Sequence, residues 1–409
     1  MKQGLPSRMT RGAFACLWAF AFVIPWEEVD HIPGFGSIGR VVGAATFAAA
    51  LLHVVAARRI RPLLWFQLFA ILFSLWAALT LFWTVDSDAT RIRVLTYAQL
   101  AMFAWVIWEL APTHARQMQL LQAYVLGSYV AVISTLTNYF TGAATAASAV
   151  RYAGFDYNPN ELGFTVALGL PMAWYLALAQ PRTWLTWPNR LFVPLGMAAI
   201  LLTASRGAFI PAVAALLLIP WTLPRLRMGA KMTTCALALG ALLFARQLAP
   251  EASWQRLATT SADMETGSFG GRLKIWNAGL EVFGQHPLVG VGAGGFDVAV
   301  TPVLGYPKPP HQTFLSVLVG QGVVGFLLFT GLFASAMLSL RRMASLERRF
   351  WLVMLLTLGI GLMPRTWDYR KPLWLALSLL ASHAAVAQAA RSRPPSFSTR
   401  LPAGSPQAI

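Results

Sequence analysis

"QTFLSVLVGQGVVGFLLFTGLFASAMLS", residues 312–339, runs for twenty-eight positions without an Asp, Glu, Lys, Arg or His. A helix of this composition exceeds the ~20 apolar residues that cross a bilayer, and it has no charged face to turn towards water. Similar runs recur throughout the chain. Of its 409 residues 57% are hydrophobic and 11% charged, against roughly 25% charged in an ordinary soluble domain. The expected fold is therefore an all-α, polytopic transmembrane bundle, because a helix satisfies its backbone polar groups internally where lipid offers no partner. The ten-residue alternation of a membrane β-barrel is not found.

Apolar runs between charged or Pro/Gly-rich breaks predict about twelve spans, near 12–27, 37–57, 63–83, 92–110, 118–140, 161–179, 190–205, 207–223, 231–246, 312–339, 350–364 and 372–389. The seventh and eighth are separated only by "TASRGAF", a tight polar turn of the kind tolerated at membrane depth where protein or a cavity surrounds it. The run beginning near Gly12 lacks a small-residue cleavage site and reads as a retained span. On this reading residues 1–246 hold spans one to nine and 247–311 form a large outward loop with short amphipathic helices. Residues 312–389 hold the last three spans, and 390–409 make a Pro/Ser-rich, disordered cytoplasmic tail.

Charge sets the expected orientation. With a cytoplasmic N-terminus, 19 Lys/Arg and two acids, Glu109 and Glu347, lie on the cytoplasmic side, against 13 Lys/Arg and 13 acids opposite. The whole net charge of +17 then sits on one face, as positive-inside topology requires. The basic residues form short juxtamembrane clusters such as "ARRIRP" and "LRRMASLERR" rather than a stripe with interleaved aromatics. They point to membrane lipids as partners and not to nucleic acid.

Three outward positions suit anion and proton chemistry. Arg206, in "TASRGAF", either snorkels to headgroups or faces a cavity and holds an anion. Arg272, in "SFGGRLKIW", opens a helix that carries a loose apolar stripe of Leu273, Ile275, Trp276, Leu280, Val282 and Phe283, expected to lie on the membrane surface. A cation at a helix start is unfavourable unless an anion neutralises it, and two arginines converging there would make a diphosphate clamp. His311 follows the stiff "YPKPP" and precedes the long run quoted above. It is either a bystander at the interface or a base, since its ordinary pKa near ~6.5 lets it take a proton at neutral pH. His53 and His383 lie within apolar runs, His114 is cytoplasmic, and His31 and His286 are in loops without a matching framework. HExxH, a cysteine-pair cluster and a Walker loop are all missing, so neither a metal nor a cofactor is expected. Cys16 and Cys235 read as packing residues.

Taken together, "SRG" at a helix turn, "GGRLKIWNAGLEVFGQHPLVGVGAGGF" and "HQTFLSVLVGQGVVGF" resemble the O-antigen ligase family, within the bacterial membrane polymerases and ligases that act on undecaprenyl-diphosphate-linked glycans. "RYAGFDYNPNELG", residues 151–163, is similar to the family's stretch before the sixth span. One departure is Gln312, where family members often carry Asn or Ser. The resemblance implies a GT-C-like glycosyltransferase of the bacterial inner membrane with its active site on the periplasmic face. It would move polysaccharide from undecaprenyl diphosphate to a sugar hydroxyl of lipid A-core, without metal or nucleotide. Arg206 and Arg272 would bind the diphosphate and His311 would be the base for inverting attack. Arg151 and Arg365 are further outward arginines that could contact substrate. Small residues in "VVGAATFAAALL" could leave a lateral gap for the two lipids, or serve close helix packing. Three other readings stay open: an O-antigen polymerase, a protein O-oligosaccharyltransferase, and a lipid or solute transporter. The transporter is disfavoured by the scarcity of ionisable residues within the spans and by the absence of an internal repeat.

Overall fold

The computed structural model describes residues 4–27, 31–32, 36–143, 151–154, 157–223, 227–229, 231–233, 235–236 and 271–391. Five long helices lead the chain: α1 (Gly4–Val23), α2 (Ile38–Ala57), α3 (Trp65–Leu79), α4 (Ser87–Leu110) and α5 (His114–Phe140). They are followed by α6 (Pro159–Ala179), α7 (Thr186–Leu202) and α8 (Arg206–Leu218). After the large loop come α9 (Arg272–Gln285), the single turns α10 (Phe296–Ala299) and α11 (Thr301–Leu304), then α12 (Thr313–Ser339), α13 (Ser345–Leu362) and α14 (Lys371–Arg391). A two-residue antiparallel pair, His31–Ile32 with Gly36–Ser37, joins α1 to α2.

The protein is an all-α polytopic membrane protein. Among the described residues seven helices are long and apolar enough to cross a membrane: Met9–Trp26, Ile38–Ala57, Trp65–Phe82, His114–Phe140, Pro159–Ala179, Thr313–Ser339 and Lys371–Ala389. The expected span at 231–246, the loop segment 247–270 and the tail from 392 lie largely or wholly outside the described residues.

Helix starts follow from local sequence. The side chain of Asp86 accepts the Ala89 N–H at 3.0 Å to begin α4. Asn158 accepts from Asn160 at 2.9 Å, with Pro159 in the first helical position of α6, where its missing N–H costs nothing. α6 is the central helix, with 83% of its span buried against 22% for α2. It packs on α5, α7, α8 and α13, and the small Gly361 lets the Phe164 ring lie against α13. The small residues of α2 serve close packing rather than a lateral gap: Thr46 donates to the Cys16 carbonyl at 3.0 Å, and a Cβ on Gly43 would stand 3.1 Å from the Phe20 ring. A lateral cleft of about 390 Å³ opens instead between α3, α12 and α14, lined by Leu63, Trp65, Leu68, Ser335, Ser339 and Ala385.

The apolar run at 312–339 is not one uninterrupted helix. At Gly322 the backbone leaves helical geometry, with φ 66° and ψ −170°, and the segment 287–292 docks into the break. In a regular helix the carbonyls of Val319 and Gly320 would accept from Val323 and Val324. Here they accept from Val291 at 3.1 Å and Gly292 at 2.8 Å, while Val323 and Val324 donate to the carbonyls of Pro287 at 2.9 Å and Leu288 at 3.4 Å. The Gln321 carbonyl accepts from the Trp76 indole at 2.9 Å. "HPLVGVGAGG" is therefore a docked strap as well as the turn that ends α9. Its glycines follow from the close backbone approach: a Cβ on Gly290 would lie 2.5 Å from the Gly322 nitrogen, and one on Gly322 would overlap the Leu288 carbonyl.

Gly322→Ala combines that overlap with a backbone conformation essentially restricted to glycine. It is expected to destabilise the protein by about 3 kcal/mol, visible as a lowered melting temperature and reduced monodisperse yield in detergent. A wild-type melt would contradict the docked strap.

Candidate functional site

The sequence-predicted residues meet at the end of the bundle where α6, α8, α12 and α14 begin and α7 and α13 end. The turn between α7 and α8 is Thr203-Ala204-Ser205, with Ala204 at φ 48°. Arg206 is the first residue of α8 and is half-buried. Two other arginines brace this turn. Arg151 donates to the Thr203 carbonyl at 2.9 Å and to Asn160 Oδ1 at 2.8 Å. Arg365, only 3% exposed, donates to the carbonyls of Gly207 at 2.9 Å, Gly361 at 3.1 Å and Asn160 at 2.8 Å, with its guanidinium over the Phe164 ring. Burial lowers its pKa to about 10, so it remains protonated at neutral pH. Arg151 Nε and Nη2 and both terminal nitrogens of Arg365 thus reach protein oxygens, which makes these residues staples for the Arg206 turn.

Arg272 opens α9 after Gly271, whose φ of 81° sets the entry to the helix. Burial and the neighbouring charge of Arg206 both lower the Arg272 pKa, and Arg272 in turn acts on Arg365 and on His311. These couplings place the four groups in one electrostatic neighbourhood. α9 is held there by an apolar face of Ile275, Ala278 and Val282 against Phe296, Leu315 and Val319. This face lies on protein, and Leu280 of the expected stripe points away, 51% exposed. The packing face follows the i, i+3, i+4, i+7 rule from Ile275, and Leu280 falls outside it.

His311 stands just before α12 with φ 45°, a left-handed conformation that costs a non-glycine residue about 1–3 kcal/mol. It is fixed on both sides. The preceding carbonyl, of Pro310, accepts from the Trp276 indole at 3.0 Å. The following Gln312 caps α12 through its side-chain oxygen, which accepts from Leu315, the role that Asn or Ser would fill. Thr313 then donates to the Arg365 carbonyl at 2.7 Å and accepts from Trp367 at 3.1 Å. Burial lowers the His311 pKa, and the charges of Arg272 and Lys308 lower it further, which favours the unprotonated ring. Among the described residues three non-glycine positions have positive φ, Arg58, Ala204 and His311; two of them are at this site.

The arrangement favours an anion. Three helix N-termini, of α8, α9 and α12, bring their partial positive charges together with the arginines. Ser205 Oγ, Thr366 Oγ1 and Arg365 Nε are buried without a hydrogen-bond partner among the described residues. One nearby acid, Glu161, accepts from the Trp367 indole and pairs with Arg370 at 3.7 Å.

Asn160, Glu161 and Thr313 were not singled out from sequence, and Trp276 was read only as part of an apolar stripe. "NPNEL" does carry a helix-start signal, which puts the first two at the head of α6. A further group, His114, Glu347 and His383, lies at the opposite end of the bundle with its ligand atoms within 4.8 Å of one another. There the Trp351 indole donates to His383 Nδ1 at 3.3 Å. An indole nitrogen can only donate, so the neutral ring carries its proton on Nε2, 3.5 Å from Glu347. That nitrogen makes no hydrogen bond among the described residues.

Comparison with known proteins gives two findings. A family model described as O-antigen ligase matches residues 191–330, the stretch that holds Arg206, Arg272, His311 and the docked strap. A protein named O-antigen ligase from Pseudomonas aeruginosa (strain PAO1) is 28% identical over 352 residues, covering 81% of this chain and 82% of the relative. The two agree, and both point to similarity with the O-antigen ligase family.

Proposed function

We propose that this protein transfers a polysaccharide from undecaprenyl diphosphate to a sugar hydroxyl of lipid A-core, acting at the periplasmic face of the bacterial inner membrane. The observation that carries the proposal is the convergence of two arginines at helix N-termini with a strained, neutral histidine, in a chain similar to a family model and a relative that both carry the name O-antigen ligase. The charge asymmetry of the sequence supports the orientation, since the site end is the less basic one.

In this reading the donor's diphosphate sits between Arg206 and Arg272. His311 takes the proton of the acceptor hydroxyl as its oxygen attacks the anomeric carbon. The bond from that carbon to the phosphate oxygen breaks, the electron pair leaves with undecaprenyl diphosphate, and the configuration inverts. Negative charge grows on the leaving phosphate, where fixed guanidinium groups in a partly dry site stabilise it strongly. Arg151 and Arg365 hold the Arg206 turn and add to the positive field.

Purified protein reconstituted with undecaprenyl-diphosphate-linked glycan and lipid A-core, without ATP and with EDTA, should transfer the glycan as a ladder on a gel. His311→Ala, Arg206→Ala and Arg272→Ala should each lower the rate about 100-fold or more at wild-type membrane abundance. Extension of undecaprenyl-linked chains with no transfer to lipid A-core would make the protein a polymerase, and near-normal transfer by His311→Ala would remove the base.

The charges around His311 predict a pH dependence. A base whose pKa is lowered stays unprotonated to more acidic pH, so the acid limb of kcat/KM should lie below the ordinary ~6.5 of histidine. Lys308→Met removes one of the cations that lower it and should shift that limb upward. An unchanged limb would show that His311 does not set it.

A further inference from the structure

We propose that Trp276 is a positioning residue that couples the diphosphate-binding helix to the base, an inference that rests on the roles of Arg272 and His311 given above. Arg272 and Trp276 are four residues apart on α9, so their side chains lie on one face, one turn from each other. Trp276 donates its indole N–H to the Pro310 carbonyl at 3.0 Å. That carbonyl belongs to the peptide unit entering His311, whose φ of 45° persists only where the surroundings over-determine it.

The restraint on His311 is two-sided. On its C-terminal side Gln312 and Thr313 tie the chain to α12 and to the Arg365 loop. On its N-terminal side the Trp276 hydrogen bond is a polar tie to α9, the element that carries Arg272. α9 also rests on α12 through Ile275, Val282, Leu315 and Val319, but that apolar contact fixes only the distance between helices and not the direction of one carbonyl. A directional bond is what sets the orientation of the peptide next to the imidazole. An anion drawn towards Arg272 therefore acts on the helix that also steers the base, and donor binding and base alignment become one event.

The test is Trp276→Phe, which removes the N–H and keeps an aromatic ring in the cluster. With reconstituted full-length protein, kcat should fall about tenfold, because a small misplacement of a reacting group suffices for such a loss, while the KM for donor stays within about twofold and the melting temperature is unchanged. If Trp276→Phe is recovered poorly, the benzothienyl analogue at position 276, with sulfur in place of N–H, tests the same bond and should show the same fall in kcat. Wild-type kcat in either substituted protein would overturn the inference. So would a fall in total activity matched by a fall in folded protein, which is the signature of packing alone. His311→Ala and Arg272→Ala assayed alongside separate the two levels: if both retain activity the reading of the site fails, and if both lose it while Trp276→Phe keeps full kcat only the coupling fails.

Discussion

The arrangement of the site depends on one backbone interaction, the docking of residues 287–292 into the break of α12. A helix interrupted within an apolar environment leaves N–H and C=O groups that cost several kcal/mol each if unpaired. Here the carbonyls of Val319, Gly320 and Gln321 and the N–H groups of Val323 and Val324 are met by the strap or by the Trp76 indole. The strap follows α9 directly in the chain, so its docking fixes the C-terminal end of α9 against the first turns of α12. Arg272 and His311 head those same two helices. Their separation is thus set by a rigid backbone contact.

On that frame the site is assembled from helix ends more than from helix faces. Arg365 joins the starts of α6 and α8 to the end of α13 through three carbonyls, and Arg151 joins the end of α7 to the start of α6. The bonds to Thr203 and Gly361 satisfy C-terminal carbonyls that a helix cannot satisfy itself, and all of these bonds bring positive charge to the place where helix N-termini already concentrate it. Structure and electrostatics are served by the same guanidinium groups. The charge so gathered lowers the pKa of Arg272 and of His311, which keeps the histidine unprotonated beside its cationic neighbours.

Much of this was legible in the sequence, for reasons that differ residue by residue. Long uncharged runs announce membrane helices because lipid admits few alternatives. Arg206 was legible because a cation in a turn too short to reach water must have a partner or a purpose, and His311 because prolines stiffen its approach. The break at Gly322 was not legible: glycine is common in membrane helices, and what turns this one into a break is a strap encoded well upstream. Arg365 could be placed at the site end but its burial could not, since that depends on carbonyls of three other helices. Leu280 was misassigned to the apolar stripe because a loose pattern does not show which side of a helix its neighbour will occupy.

The break in α12 also bears on how the protein is made. A helix whose midpoint is completed by another segment cannot be released into lipid as an independent unit without exposing unpaired backbone to hydrocarbon. The strap is synthesised before α12, and Trp76 on α3 earlier still, so the partners for the break already exist when it emerges. Insertion of α12 is therefore an act of assembly onto preceding elements, and membrane integration and tertiary folding coincide for this part of the chain.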